Sequence, residues 1–287
     1  MVLLGLCTVA NTVRDINQRF WSSKTIPHLT IRTTQNSVQG YKAHSHSELS
    51  IGIIESGVTR LSMPEGQIVL TKGDIILIEP NIVHACNPVD DMTRSYHMLY
   101  VDNTWCCNVL STLYGYEVTQ YTCDQNVLAY MENDIKLTSL LCSLLNQESQ
   151  EIAAEVDSFL FNLLSRYCSP QHDQENDDEL AYKVRNYLLQ DIANPPSLDV
   201  ISQEFERPKE TLIRNFKRRF GITPKSFLNN NRVEKAKFLL KCGMSIVDAA
   251  TEVGFSDQSQ LHRAFVSYTA STPRQYQRVT SIFDNNY

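Results

Sequence analysis

A membrane-spanning helix needs about 20 consecutive apolar residues, and no such run exists in the 287-residue sequence. The apolar opening, MVLLGLCTVA, is short and lacks a basic flank, so it is not read as a secretion signal. Residues 1–25 are expected to form a helix or an arm. Disulfide architecture is equally absent. The eight cysteines (7, 86, 106, 107, 123, 142, 168 and 242) form no C-x-x-C pair, and Cys106 and Cys107 are adjacent. Scattered reduced thiols in a cytoplasmic protein are expected, with redox sensing by one of them as the lesser reading. Positive charge is also in short supply: 26 Lys and Arg face 32 Asp and Glu, a net charge of −6. Taken over the whole chain, that argues against nucleic-acid binding. Its distribution reverses the argument. Residues 181–287 carry 16 basic and 10 acidic side chains, leaving 10 basic and 22 acidic in residues 1–180. The balance is +6 at one end and −12 at the other, the asymmetry of a basic DNA-binding unit joined to an acidic partner domain.

What is present is a stretch that occurs twice. TLIRNFKRRFGITPKSF (211–227) aligns with QLHRAFVSYTASTPRQY (260–276) at an offset of 49. Leu212, Arg214, Phe216, Thr223, Pro224 and Phe227 find Leu261, Arg263, Phe265, Thr272, Pro273 and Tyr276. A fixed period means one supersecondary unit built twice. Leu212, Phe216 and Phe220 form an apolar helical stripe, with Glu210, Arg214, Lys217 and Arg218 opposite. In the second copy Leu261 and Phe265 face inward, and Ser259, Gln260 and Arg263 lie opposite. Each copy follows a shorter amphipathic segment, SLDVISQEF (197–205) or SIVDAATEVGF (245–255). Gly254 is placed to end its helix, Ser256 to cap the next, and Pro208 to open the first. Two short helices with a tight turn make a helix-turn-helix, whose second helix enters the DNA major groove. Eleven Lys or Arg against Glu210 and Glu234 between 207 and 241 supply phosphate contacts.

These residues resemble the DNA-binding domain of the AraC family of bacterial transcriptional regulators. The likeness covers about 197–278 and rests on L-x-R-x-F-K-R-x-F-G-x-x-P (212–224), RVEKAKFLL (232–240) as the joining helix, S-I-x-D-A-A-x-x-V-G-F-S-D-Q-S-x-L-x-R-A-F (245–265) and T-P-R-Q-Y (272–276). The resemblance implies double-stranded DNA as partner and two recognition helices in successive major-groove segments. The positions matching the base readers are Glu210, Ile213 and Arg214, then Ser259, Gln260 and Arg263. Lys209, Lys217, Arg218 and His262 complete the expected DNA-binding set.

The N-terminal texture is different. SIGIIESG (50–57), TRLSMPEGQIVL (59–70) and DIILIEP (74–80) are short β-rich runs separated by Gly57, Gly66 and Gly73, which suggests a sandwich or barrel. His44 and His46 form H-x-H, on one face if the segment is a strand, and His84 follows in GDIILIEPNIVHACN (73–87). This resembles the cupin barrel. Metal-dependent cupins hold a metal with three His and one Glu, and the position expected for that Glu falls near Ser50 or Ile51. Three readings of the histidines stay open: a metal-free small-molecule pocket, a metal site, or structural hydrogen bonds. The pocket reading leads, with His44, His46, His84, Tyr96 and Tyr100 as effector-binding candidates and no cofactor assigned. RSYHMLYVDNTW (94–105) reads as the last strand and exit, with Trp105 a further candidate. Leucine stripes between about 125 and 168 read as two helices covering the barrel or pairing two subunits.

The expected protein is therefore multidomain: a cupin-like β-barrel with helices (1–168), an acidic linker (169–180) that holds His172, and an all-α domain with two helix-turn-helix motifs (181–287). Its expected function is transcription regulation under a small-molecule effector, as a homodimer that contacts RNA polymerase, with no membrane and no catalysis. The rivals are a cupin-type metalloenzyme with an accessory DNA domain, and a regulator answering a protein or redox signal.

Overall fold

The computed structural model describes residues 17–22, 25–128, 132–146, 149–171 and 180–278. Most of the expected arm, and the linker from 172 to 179 with His172, lie outside the described residues. The chain opens with β1 (Gln18–Ser22), β2 (Leu29–Ser37), β3 (Leu49–Ser56), β4 (Thr59–Met63), β5 (Gly66–Leu70), β6 (Ile75–Ile78), β7 (Ala85–Pro88) and β8 (Arg94–Val101). There follow α1 (Asn103–Tyr114), β9 (Tyr121–Cys123), β10 (Val127–Leu128), α2 (Glu132–Asn146), α3 (Gln150–Tyr167) and β11 (Cys168–Pro170). Six strands form one antiparallel sheet in the order β1-β2-β8-β3-β6-β10, and β5-β4-β7 form another. Among the described residues no strand pairing joins these two sheets. The barrel is open, and the isolated bridge His44–His84 stands between them. His44 and His46 therefore lie on irregular backbone rather than on a regular strand. The run 59–70 is a hairpin, closed where Met63 pairs with Gly66.

Strand alternation sends side chains to two cores. From β8, Leu99 and Val101 join Ile31, Leu49 and Ile51 under Leu110, Leu141 and Leu160 of the three helices. Tyr96, Met98 and Tyr100 point the other way, toward Leu61, Leu70 and Ile76 between the sheets. The sequence pattern gave no sign of α1. It starts at Asp102, whose carboxylate accepts from the Trp105 backbone N–H at 2.9 Å, and it turns Trp105 onto His28 at a ring separation of 4.3 Å. Trp105 thus packs on the helical side and does not line the space between the sheets.

The C-terminal part is α4 (Leu180–Gln190), α5 (Leu198–Glu204), α6 (Lys209–Phe220), α7 (Pro224–Lys241), α8 (Ile246–Glu252), α9 (Gln258–Thr269) and α10 (Pro273–Gln277). Ser197, Thr223, Ser245 and Thr272 cap helices through their hydroxyls. α9 is capped by Asp257, not by Ser256 as the sequence suggested: its carboxylate accepts from the Gln260 N–H at 2.7 Å. Gly254 sits at φ +84°, and a Cβ there would stand 2.3 Å from the Ala193 carbonyl oxygen. Both the backbone conformation and the close approach demand glycine.

Candidate effector cavity and nucleic-acid interface

α6 buries Leu212 and Phe216 completely and exposes Glu210, Arg214, Lys217 and Arg218. α9 repeats this with Leu261 and Phe265 inside and Ser259, Gln260, His262 and Arg263 outside. Lys209 and Ile213 are half-buried; Lys209 holds Asp199 at 2.7 Å. The Gln260 carbonyl oxygen accepts from the Ser256 backbone at 2.9 Å, so only its amide NH2 remains for a partner. The basic run is less available than its sequence implied. Arg232 donates to the Ile192 and Ala193 carbonyls at 2.7 and 3.0 Å, bracing the loop between α4 and α5. Lys237 is 7 % exposed, and Lys241 donates to Thr30 Oγ1 at 3.1 Å.

The space between the two sheets contains a cavity of about 30 Å³ lined by His44, His46, His84, Tyr96 and Tyr100, all five sequence candidates, together with Arg32. The three imidazoles are buried, with ring centroids 4.6 to 5.3 Å apart. His44 Nδ1 meets the Lys42 carbonyl at 2.7 Å and His84 Nδ1 the Ile82 carbonyl at 2.9 Å. A carbonyl only accepts, so both δ nitrogens carry the hydrogen and both ε nitrogens are bare. Burial holds all three histidines below their ordinary range, His84 at about 4. They are neutral bases near pH 7. One ring nitrogen from each lies within 4.8 Å of the others, near enough to share a metal ion.

Sequence reasoning missed Arg32, Arg94 and Tyr41 in the same cavity. Arg32 donates to Tyr41, Tyr96 and the Thr269 carbonyl; the Tyr41 and Tyr96 hydroxyls also bond to each other. Arg94 donates to the Gln39 and Cys86 carbonyls, while its Nε and Nη1 have no partner. Neither guanidinium is paired with a carboxylate among the described residues. Burial would raise the Tyr96 phenol, but Arg32 and Arg94 overcome it and make that phenol more acidic than usual. The available signal was an arginine opening the strand run RSYHMLYV, at a position on the buried side.

The DNA-binding part packs against the outside of this cavity's wall, on Arg32, His46 and the Ser45 backbone between the two histidines. Asn230 of α7 donates to the Ser45 carbonyl at 2.9 Å and accepts from the Ser45 N–H at 3.3 Å. Glu234 stands 3.3 Å from His46 Nδ1 and holds Lys237 at 2.7 Å. Against burial, Glu234 and Glu48 keep the Lys237 ammonium well above its ordinary range. Gln18 and Arg32 donate to the Ala270 and Thr269 carbonyls at the end of α9, and the Lys42 N–H donates to that of Ser267.

A β domain with an internal polar cavity, joined to a double helix-turn-helix, defines a ligand-responsive DNA-binding protein. Residues 27–164 match the family of AraC-like ligand binding domains, and residues 201–279 match a helix-turn-helix domain family. The chain belongs to the AraC family of transcriptional regulators, and it is a DNA-binding regulator controlled by a small-molecule effector. It is 27 % identical to the uncharacterized HTH-type transcriptional regulator YbfI of Bacillus subtilis, over 82 % of this chain and 87 % of that one. It is 32 % identical to the transcriptional activator RhaS of Escherichia coli, over 36 % of this chain and 37 % of RhaS. Both relatives are named as transcriptional regulators. Among solved structures, a single-substitution variant of ToxT from Vibrio cholerae in its apo form shares the fold, with a TM-score of 0.58 at 15 % identity, covering 90 % of this chain and 98 % of ToxT. ToxT bound to an unsaturated fatty acid gives 0.53 at 16 % identity, covering 87 % and 94 %. No helix among the described residues is long and apolar enough to cross a membrane.

Proposed function

We propose that the effector is a small organic anion, and that binding it releases α7 and α9 from the β domain. The observation that carries this reading is the pair of buried guanidiniums, Arg32 and Arg94, without a carboxylate. A buried cation with unpartnered donors is costly until an anion meets it. Tyr96, Tyr100, His44, His46 and His84 surround the same space and orient the rest of the molecule. The fatty acid seen in ToxT is also a carboxylate. A cavity of about 30 Å³ has room for about two waters, far below the about 300 Å³ of an ordinary ligand site. An organic effector therefore enters only as the wall of the cavity opens, and that movement displaces the DNA-binding part packed on Arg32 and His46. Binding and release become one event, which supplies the differential affinity that control requires.

On DNA, Glu210, Ile213, Arg214, Ser259, Gln260 and Arg263 read bases, while Lys209, Lys217, Arg218 and His262 hold the backbone. The chain works in the cytoplasm as a homodimer through α2 and α3, contacts RNA polymerase and carries out no turnover. Its functional units are 1–168 and 181–287, with 169–180 between them. A panel of organic acids and their neutral amides, followed by thermal shift on the full chain, tests the effector. An acid should shift the midpoint and its amide should not, and Arg94→Met should abolish the response while Arg214→Ala keeps it. A response to neutral compounds alone, or one that survives Arg94→Met, would remove the anion from the reading.

A further inference from the structure

We infer that Cys123 and Cys168 are a redox pair: under peroxide they join in a disulfide that fastens the end of α3, where the linker begins, to β9 and the cavity wall behind it. This does not rest on the identity of the effector.

The fold sets two cysteines 45 residues apart directly opposite each other, Cys123 on β9 and Cys168 on β11. The Asp124 N–H donates to the Tyr167 carbonyl at 2.8 Å, and the Gln171 N–H to that of Gln120 at 2.9 Å. Hydrogen-bonded pairs alternate along an antiparallel ribbon, so Cys123 and Cys168 form a non-hydrogen-bonded pair. There the Cα atoms stand about 4.5 Å apart and the side chains come closest. That spacing lies in the range of about 4.4–6.8 Å that a disulfide spans. Both side chains are buried, and their sulfurs touch at 3.8 Å. Closing to the bond length of about 2.05 Å takes a turn of two side chains whose backbones are already in register.

The oxidant is hydrogen peroxide. The hydrogen bond to Cys168, and then burial, push the Cys123 thiol well up, so Cys123 keeps its proton and Cys168 is the nucleophile. Its sulfur attacks peroxide, the O–O bond breaks, and a sulfenic acid forms with loss of water. The Cys123 sulfur then attacks the sulfenic sulfur. An S–S bond forms, and the hydroxyl leaves with the Cys123 proton as a second water. Two thiols give up two electrons, and one peroxide becomes two waters. Buried thiols react slowly, so the pair answers sustained oxidant and not a brief pulse. The bond joins elements that bear on both ends of the molecule. The Cys168 N–H closes α3 on the Leu164 carbonyl, and Pro170 ends β11 just before the linker. Across the ribbon the Glu79 carboxylate, just after β6, accepts from the Cys123 N–H at 2.6 Å and the Thr122 hydroxyl at 2.9 Å. Ile76 of β6 lines the cavity. The cross-link also encloses α2 and α3.

The test uses the full chain with the exposed Cys142 and Cys242 replaced by Ser, treated with hydrogen peroxide, quenched, alkylated and digested for mass spectrometry. The expected result is a peptide joining residues 123 and 168, with both thiols recovered by dithiothreitol. The bond should raise the thermal midpoint by at least about 5 °C, given the length of the loop it closes, and slow hydrogen exchange across residues 120–124 and 167–171. Cys123→Ala should leave a sulfenic acid at Cys168 that dimedone traps; Cys168→Ala should give neither that adduct nor the bond. Unlinked thiols at 123 and 168 in folded, peroxide-treated protein overturn the pair. So does a bond from either one to Cys106, which is buried in the same core. A bond without slower exchange or a higher midpoint overturns the fastening. The parent chain, compared before and after dithiothreitol, decides both points even where a variant fails to fold. No effector is present in these measurements, so their failure is separate from failure of the anion reading.

Discussion

The two helix-turn-helix units share a sequence pattern and differ in what holds them. The core of the first, Val184, Leu188, Ile201, Leu212 and Phe216, is built within the DNA-binding part itself. α6 ends on its own Gly221 at φ +73°, whose N–H returns to the Lys217 carbonyl. In the second unit, Phe20 of β1 packs on the core around Phe265 and Tyr276. The last carbonyls of a helix have no partner inside it. At the end of α9 several of them are satisfied by Gln18, Arg32 and Lys42 of the β domain. Ala270 closes α9 at φ +50° without the freedom of glycine, a conformation that costs about 1–2 kcal/mol for an L-residue and is held by these contacts. A duplicated motif has thus been divided: both copies return the closing N–H to their own last turn, and the second is capped in addition by the sensor. A change inside the β domain reaches the second recognition helix first.

The largest way to break that contrast is through the two cores. Phe216→Ala and Phe265→Ala should each cost about 3–5 kcal/mol. Their consequences should spread differently. For Phe216 faster hydrogen exchange should stay within α4 to α6. For Phe265 it should pass through Tyr276, 5.6 Å away, to Phe20, 5.2 Å beyond, and appear in β1 and β2. If exchange in β1 is the same in both variants, the second unit is no more tied to the sensor than the first.

This division was not legible in the sequence, although the motif was. The repeat showed because six positions recur at an offset of 49 and the buried ones obey helical spacing. Local chemistry was also readable: the caps at Ser197 and Gly254 hold, and Ser256 lost to its neighbour Asp257 only because two capping side chains stand in succession. The run 59–70 reads as one strand until the two-residue turn at Pro64 and Glu65 is given its weight. The docking contacts could not be found that way. Ser45 meets Asn230 across 185 residues and Gln18 meets Ala270 across 252, and no periodicity reports such pairs. By sequence alone Lys237 and Lys241 therefore count with the DNA-facing charge. The histidines are recognisable as a group because H-x-H is compact, while Arg32 and Arg94 each sit alone in a strand and meet only in the folded chain.

A smaller effect sharpens the comparison on DNA. Arg214→Ala and Arg263→Ala should each lose about 1–3 kcal/mol at a specific site, with much less lost on random DNA. Asn230→Ala weakens docking by removing the Ser45 contacts. In that background the cost of Arg263→Ala should change by more than about 0.5 kcal/mol, the usual error of additivity, and the cost of Arg214→Ala should not. Binding isotherms on one operator would measure the cycle. Equal coupling for both arginines would show that docking governs the two recognition helices together.

The smallest expected effect concerns charge. α6 carries Lys209, Arg214, Lys217, Arg218 and Arg219, whereas α9 carries Arg263 and a histidine. At the 49-residue offset Lys217 corresponds to Val266 and Arg218 to Ser267, whose carbonyl is taken by the Lys42 N–H. The phosphate-holding face is fuller in the first copy and reduced in the copy that the sensor also caps. Each phosphate contact contributes a slope of about 0.9 to the fall of log K with log salt. Lys217→Ala should therefore lower the slope by about 1, on specific and random DNA alike, with bases still discriminated. His262→Ala, the only other ionisable exposed group of α9 beside Arg263 among its described residues, should lower the slope by less than Lys217→Ala does. A slope that falls equally for both variants would mean that the second helix holds phosphates as strongly as the first, and that the division of labour between the copies ends at their caps.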